Sequence, residues 1–243
     1  MNHLRHPSRV RTTLFADPAR GHHFLVCAGD VSTKGIVPSI QWLADVYAQA
    51  LPVIFVPGNH EFYSASVEES IRDARKFDAG FSNIHFLEND GVEIGGVRFI
   101  GGTLWTDFRL FGRNPAVSMP YAQSGMNDFR KIKFSKLPCR MFKPIDACRM
   151  RVQTRDFIAA ELRKPTPLKT VVIATMLRLH RRSTSVFDTI RSPLVMPRIW
   201  KTCCTRSSRR CGCMVTYIIE MTTWSAIRVL SRMPEATRGR NGV

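Results

Sequence analysis

HFLVCAGD, His23 to Asp30, and LPVIFVPGNHEFY, Leu51 to Tyr63, are the two stretches that decide the fold. Each opens on an unbroken apolar run, the form of a strand buried on both faces, and each stops at a glycine followed by polar residues. Between them Ile36, Ile40, Leu43 and Tyr47 recur at helical spacing. Beyond Tyr63, Ser66 and Glu69 have the spacing of a capping box, Val67, Ile71, Ala74 and Phe77 form an apolar stripe, and Gly80 is placed to end the helix. The order strand, loop, helix, strand, loop, helix predicts an α/β fold with parallel strands and helical crossovers.

Working outward, the period changes to two after Gly80. NIHFLEN, VEI and VRFIGGTLW are separated by Asp90-Gly91 and Gly95-Gly96, both of which predict hairpin turns in a meander attached to the layered sheet. Residues 103–150 carry Pro115, Pro120, Pro138 and Pro144 and are expected to be a long surface excursion. A helix around Asp156 to Arg163 and a strand at KTVVI close the readable part. Trp42, Phe77 and Trp105 are expected in the core. No internal repeat or low-complexity segment is visible.

In open α/β sheets, ligands collect in the crevice at the carboxyl ends of the strands. Asp30 and the run Gly58-Asn59-His60-Glu61 fall at two such ends. The glycine before each polar residue lets the backbone turn sharply and approach a ligand closely. Asp30 and Asn59 supply hard oxygen donors, one anionic and one neutral. His60 is suited to give a proton or hold a phosphoryl oxygen, and Glu61 is expected to set its tautomer and raise its basicity.

Gly-Asp followed by Gly-Asn-His-Glu, each after an apolar strand, resembles the calcineurin-like metallophosphoesterases. HFLEN, GVRFIGGTLWTDFRLFG and MNDFRKI extend the resemblance to a bacterial subgroup of small single-domain members, over roughly residues 24–173. The resemblance implies a β-sandwich flanked by helices, incomplete here at its C-terminal end, with two divalent ions (Mn, Fe or Zn) held ~4 Å apart for in-line attack on a phosphate ester. It makes Asp30 the carboxylate bridging both metals, Asn59 a ligand of the second metal, and His60 the proton donor or stabiliser of the leaving group, with Glu61 beside it. It also implies that the excursion from Asp107 to Asp146 shapes the substrate pocket.

Half of that pattern is missing. An Asp-x-His on the first strand, a His run like Thr-His-His-Ala-Pro after a later strand, and a C-terminal Gly-His-x-His are absent from the chain as written, and an Asp with an Asn is too few ligands for two hard cations. Regrouping codons after Ile173, taking the third base of one and the first two of the next, permits Ser-His-His-Ala-Pro from Ile173 to Arg178. The same frame permits Leu-Trp-Met-His-Gly-His-Ile-His-His across Arg210 to Ile219, with the glycine forced by Met214 before Val215. The two histidine motifs thus return in order. Residues 1–173 are therefore assigned to a metallophosphoesterase domain and residues 174–243 to a basic segment, out of frame and poorly packed. For the first strand the other offset permits Asp-Ile-His-Leu-Glu over Arg5 to Val10, but Met1-Asn2 puts a stop triplet in that frame, and the two readings stay open.

Charge points the same way. The 243 residues carry a net +17, but residues 24–172 hold only +4 of it and the two ends the rest. Read functionally, Arg206, Arg209 and Arg210 would contact phosphates of a nucleic acid. The tail lacks interleaved aromatics, helical periodicity and any recognised module, and arginine-rich text is what a shifted frame yields. Cys203, Cys204, Cys211 and Cys213 lack the paired spacing of structural zinc sites. Cys27, Cys139 and Cys148 are expected to be free thiols. With no window near the ~18 apolar residues of a membrane span and no secretory signal, the expected location is cytoplasmic. A phosphoesterase acting on a mono- or diester is thus the first reading, and an inactive family remnant or a basic protein binding nucleic acid nonspecifically is the alternative.

Overall fold

A computed structural model of the chain describes residues 12–17, 22–109, 114–178 and 213–221. Strands β1 (Thr12–Asp17), β2 (His22–Ala28), β3 (Val53–Val56) and β4 (Ile84–Phe86) form one sheet in that order. β1 is antiparallel to β2, while β2, β3 and β4 are parallel. Helix α1 (Ile36–Val46) and helix α2 (Val67–Asp78) make the two crossovers, as the apolar periodicity predicts. A second sheet has β5 (Asp90–Ile94) paired antiparallel with β6 (Val97–Leu104), which runs parallel to β9 (Lys169–Arg178), with β10 (Cys213–Met221) antiparallel on the outside. Between β6 and β9 the chain forms α3 (Pro115–Gly125), α4 (Asp128–Lys131), the hairpin β7 (Lys133–Ser135) with β8 (Arg140–Met141), and α5 (Pro144–Arg163).

Period-two alternation sorts the strand residues onto two faces. Phe24, Val26 and Ala28 of β2 and Ile54 and Val56 of β3 meet Val97, Phe99, Val171 and Ile173 of the second sheet. Leu25, Cys27, Val53 and Phe55 point the other way, into a cluster with Ile36, Ile40 and Leu43 of α1 and Ala74 of α2. Ile158 of α5 covers Ile100 and Val172 on the outer face of the second sheet. The result is a β-sandwich flanked by helices, and β3 reads as a continuous apolar run because both its faces are covered.

Several local expectations change. The Gly95-Gly96 hairpin joins β5 to β6, with both glycines at positive φ. Asp90-Gly91 is no turn: it begins β5, after the chain has left the first sheet at Leu87, whose N–H still bonds Phe55, and passed through Asn89 at φ 51. Ser66 is the N-cap of α2 but makes no side-chain cap, and the Glu69 carboxylate accepts the Lys136 N–H at 2.9 Å. α2 ends at Asp78, ahead of Gly80. The excursion is more than surface. Trp105, Phe108, Phe129 and Phe142 are buried against Phe62, and Pro144 opens the long helix α5 instead of interrupting a loop. Trp105 is fully buried, and Trp42 and Phe77 pack at the margin of the same cluster. Cys27, Cys139 and Cys148 are free.

The boundary set at residue 173 falls inside β9, which continues to Arg178 with Ala174 and Thr175 buried, and the β10 backbone covers the outer edge of β9. The remainder of the basic segment, 179–212 and 222–243, lies outside the described residues, as do the first-strand alternative at Arg5 to Val10 and the cysteines at 203, 204 and 211.

Candidate functional site

The loops after β2 and β3 meet backbone to backbone. A side chain on Gly29, at φ +70, would put its first carbon 2.7 Å from the Gly58 Cα, so only glycine allows the approach. Asp30 follows, itself at φ 59, a conformation a non-glycine residue adopts only where its surroundings impose it.

What imposes it is Glu61. Its fully buried carboxylate accepts the N–H groups of Asp30 at 3.0 Å, Val31 at 2.6 Å, Ser32 at 3.0 Å and Gly58 at 2.7 Å, tying both loops to one side chain. Burial, and then the Asp30 charge, push its carboxyl upward, while the N–H donors pull it back. Glu61 therefore clamps the backbone and does not orient the His60 ring, which corrects the role expected from its place next to His60 in sequence. Side chains of adjacent residues in a tight turn diverge, and four converging N–H groups are a stronger draw for a buried carboxylate than one imidazole.

His60 opens a single turn of 3₁₀ helix (His60–Phe62) and is partly exposed. Its Nδ1 lies 3.6 Å from Asp30 Oδ1, and its ring lies 4.8 Å from that of Tyr63, over which Lys131 places its ammonium. Asn59 is buried, and its Nδ2 donates to Asp128 Oδ1 at 2.5 Å. A carboxylate only accepts, so this bond fixes the amide with its oxygen left as the neutral donor. Asp128 belongs to MNDFRKI, and sequence reasoning gave it no role. Its separation of 69 residues from Asn59 hides the pair from any local spacing rule. Beneath the second loop, the Pro57 carbonyl accepts from Thr175 Oγ1 at 2.7 Å, with Thr103 Oγ1 at 2.9 Å. The buried Cys27 thiol lies beneath the same loops; burial, with Glu61 and Asp30, holds it well above the ordinary thiol range, so it is not a nucleophile.

Asp30, Asn59 and His60 thus come together, with Glu61 beneath them. The profile of the calcineurin-like phosphoesterases matches residues 6–138, over half the chain and spanning all of these positions. The chain belongs to the calcineurin-like phosphoesterase family. The chain is 24% identical over 164 residues to the uncharacterized protein L509 of Acanthamoeba polyphaga mimivirus. That alignment covers 63% of this chain and 54% of the viral protein, so the chain spans about half the length of the curated relative it matches. No solved structure matches it significantly.

The family's divalent metals can be tested against the donors present. The Asp30 carboxylate and the His60 imidazole lie 3.6 Å apart, with Asn59 next to His60 in the chain, and among the described residues no group of three His, Cys, Asp or Glu could hold a cation. Two divalent ions side by side need several anionic or imidazole donors between them, more than one carboxylate, one amide and one imidazole supply. The strand end of β9 faces the same loops, since Thr175 lies 3.1 Å from where a Gly29 side chain would begin, but it offers Ala174 and Thr175, neither a metal ligand of the kind the resemblance requires. The residues present do not complete a dinuclear centre.

Proposed function

We propose that this chain is a metallophosphoesterase domain for a phosphate mono- or diester whose site is built on the β2 and β3 sides and deficient on the β9 side. The observation that carries the reading is that Asp30 and His60 meet at 3.6 Å, with Asn59 adjacent in the chain, on glycine-lined loops held by the buried carboxylates of Glu61 and Asp128. Such bracing fixes side chains for chemistry; loops with no ligand to position do not need it. Asp30 and Asn59 are the metal-side residues, Asp30 as the anionic oxygen and Asn59 as the neutral one. His60, partly exposed at the rim, is the residue placed to protonate a leaving group. Glu61 acts on the site only through the backbone.

The deficiency has a cause in the sequence. Regrouped codons after Ile173 put two histidines where the chain as written has Ala174, Thr175 and Met176, at the end of the strand that abuts the loops. The inactive-remnant alternative rests on the same short donor set and describes the chain as written, whereas the phosphoesterase reading describes its fold and ancestry. A phosphate-ester substrate, a cytoplasmic location, and nucleic-acid contact confined to the basic C-terminal arginines belong to the same reading. Among the described residues, no helix is long and apolar enough to cross a membrane.

The test is manganese-dependent hydrolysis of p-nitrophenyl and bis-p-nitrophenyl phosphate by the purified chain and by a version with the frame restored after Ile173. Turnover by the restored version with little by the chain as written is expected. Absence of turnover in both would sink the reading.

A further inference from the structure

The turn that carries Asn59 and His60 starts at Pro57, and its carbonyl is held from below by two strands. Thr175 Oγ1 of β9 donates to it at 2.7 Å, and Thr103 Oγ1 of β6 lies 2.9 Å from it. Thr103 Oγ1 is also 2.8 Å from Glu88 Oε2, which accepts the Thr103 N–H at 2.8 Å. Glu88, Thr103 and Thr175 are all buried.

A threonine hydroxyl has a single proton and two short oxygen neighbours here. If Glu88 is ionised, that proton goes to the carboxylate, and the contact from Thr103 Oγ1 to the Pro57 carbonyl joins two acceptors with nothing between them. If Glu88 is protonated on Oε2, the acid donates to Thr103 Oγ1 and Thr103 donates to Pro57. Every short oxygen contact then holds a proton, and Oε2 keeps a lone pair for the Thr103 N–H. The other oxygen, Oε1, is buried without a hydrogen-bond partner among the described residues, a poor environment for half of a carboxylate and a tolerable one for the carbonyl of a neutral acid.

The surroundings agree. From α2 the charged group is Arg75, which spends its Nη2 on Glu88's own carbonyl at 2.8 Å. From β6 the neighbour is Thr103, whose carbonyl is met by the neutral Thr154 hydroxyl of α5 at 3.1 Å, and from the loop after β3 it is the Pro57 carbonyl. Burial outweighs the Thr103 bonds and the Arg75 charge, and pushes the Glu88 carboxyl up to about 7.

We propose that Glu88 is a positioning residue: as a neutral acid it donates through Thr103 Oγ1 to the Pro57 carbonyl and so fixes the turn from which Asn59 and His60 project. Its purpose rests on the reading of that turn as the phosphoesterase site, but the relay is a property of the chain itself. Deprotonation of Glu88 takes the Thr103 proton away from Pro57 and leaves the carbonyl to Thr175 alone.

Carbon-13 NMR of the full-length protein across pH 5 to 9 (about two units either side of the expected midpoint) tests this without reading activity or metal. The Glu88 side-chain carboxyl is expected to titrate with a midpoint near 7, and the Pro57 carbonyl carbon to shift with the same midpoint. In Thr103→Val the Glu88 signal still titrates while the Pro57 response at that midpoint disappears; Thr103→Ser restores it. A Pro57 carbonyl that stays still while wild-type Glu88 titrates overturns the proposal, and this needs no variant to fold. A Pro57 response that survives in Thr103→Val also overturns it, since Glu61, which bonds the neighbouring Gly58 N–H, would then be its source. Failure of the hydrolysis assay leaves this titration untouched, and failure of the titration leaves the phosphoesterase reading standing.

Discussion

The two loops after β2 and β3 and the strand end of β9 approach the same point, and they are built to different standards. On the loop side, Glu61 satisfies four backbone N–H groups, with both its oxygens aimed at named donors, and Asp128 pins Asn59. On the β9 side, Thr175 supports the Pro57 carbonyl, and Ala174 beside it brings no polar group. Bracing on the loop side beside a short donor set on the β9 side is the pattern that the proposed reading, a site deficient on one side, expects. A site that had drifted as a whole would show slack on both sides. On the proposed reading the change lies at the C-terminal strand, where the charge of the chain also rises and where regrouped codons permit the family motifs.

Replacing the clamp breaks the contrast most severely. Glu61→Ala strands four backbone N–H groups, two of them buried and two part-buried, and is expected to lower stability by roughly 3–5 kcal/mol in urea unfolding, well beyond a typical point substitution. A loss under about 1 kcal/mol would mean that the loops hold themselves.

The buried Glu88 carboxyl contributes next. Its folded-state value of about 7 lies above the ordinary 4.5, so the folded state binds this proton more tightly than the unfolded chain does. Stability from this group is fully present below pH 4.5, falls as pH rises through the window from 4.5 to 7, and is flat above it. At about 1.4 kcal/mol per unit the loss is roughly 3 kcal/mol, an upper bound for a buried acid. Urea midpoints at a series of pH values should fall further in the wild type than in Glu88→Leu by about that amount, the fall left in the variant coming from Asp78, whose carboxyl burial pushes up to about 6.

Asp128→Ala removes one partner from a buried pair and should cost about 2 kcal/mol. In the frame-restored version it should also weaken manganese binding by roughly 10–100-fold, the usual effect of losing the group that orients a ligand. Unchanged metal affinity would show that Asn59 needs no support. Thr175→Val is the smallest expected effect, about 1 kcal/mol, because Thr103 still reaches the Pro57 carbonyl. A larger loss there than at Asp128 would reverse the comparison.

Much of the fold was legible because the signals were local. The runs at His23 to Asp30 and Leu51 to Val56 read as buried parallel strands, and the helical stripes of α1 and α2 fell where periodicity put them. Asp90-Gly91 misled because a strand that changes sheets carries the same residues as a hairpin turn. The excursion misled because prolines at helix starts and in loops look alike, and its aromatic core around Trp105 exists only once α4 and β8 fold back. At the site, Asp30, Asn59 and His60 could be named from spacing. The work of Glu61, Asp128 and Glu88 could not, since each acts across tens of residues on backbone or amide groups that sequence does not pair.

Manganese binding measured by calorimetry separates a site with intact loops and a deficient β9 side from one that is whole. The frame-restored version should bind two ions per chain, and the chain as written should bind at least roughly 100-fold more weakly. Two ions bound equally tightly by the chain as written would contradict a deficient β9 side.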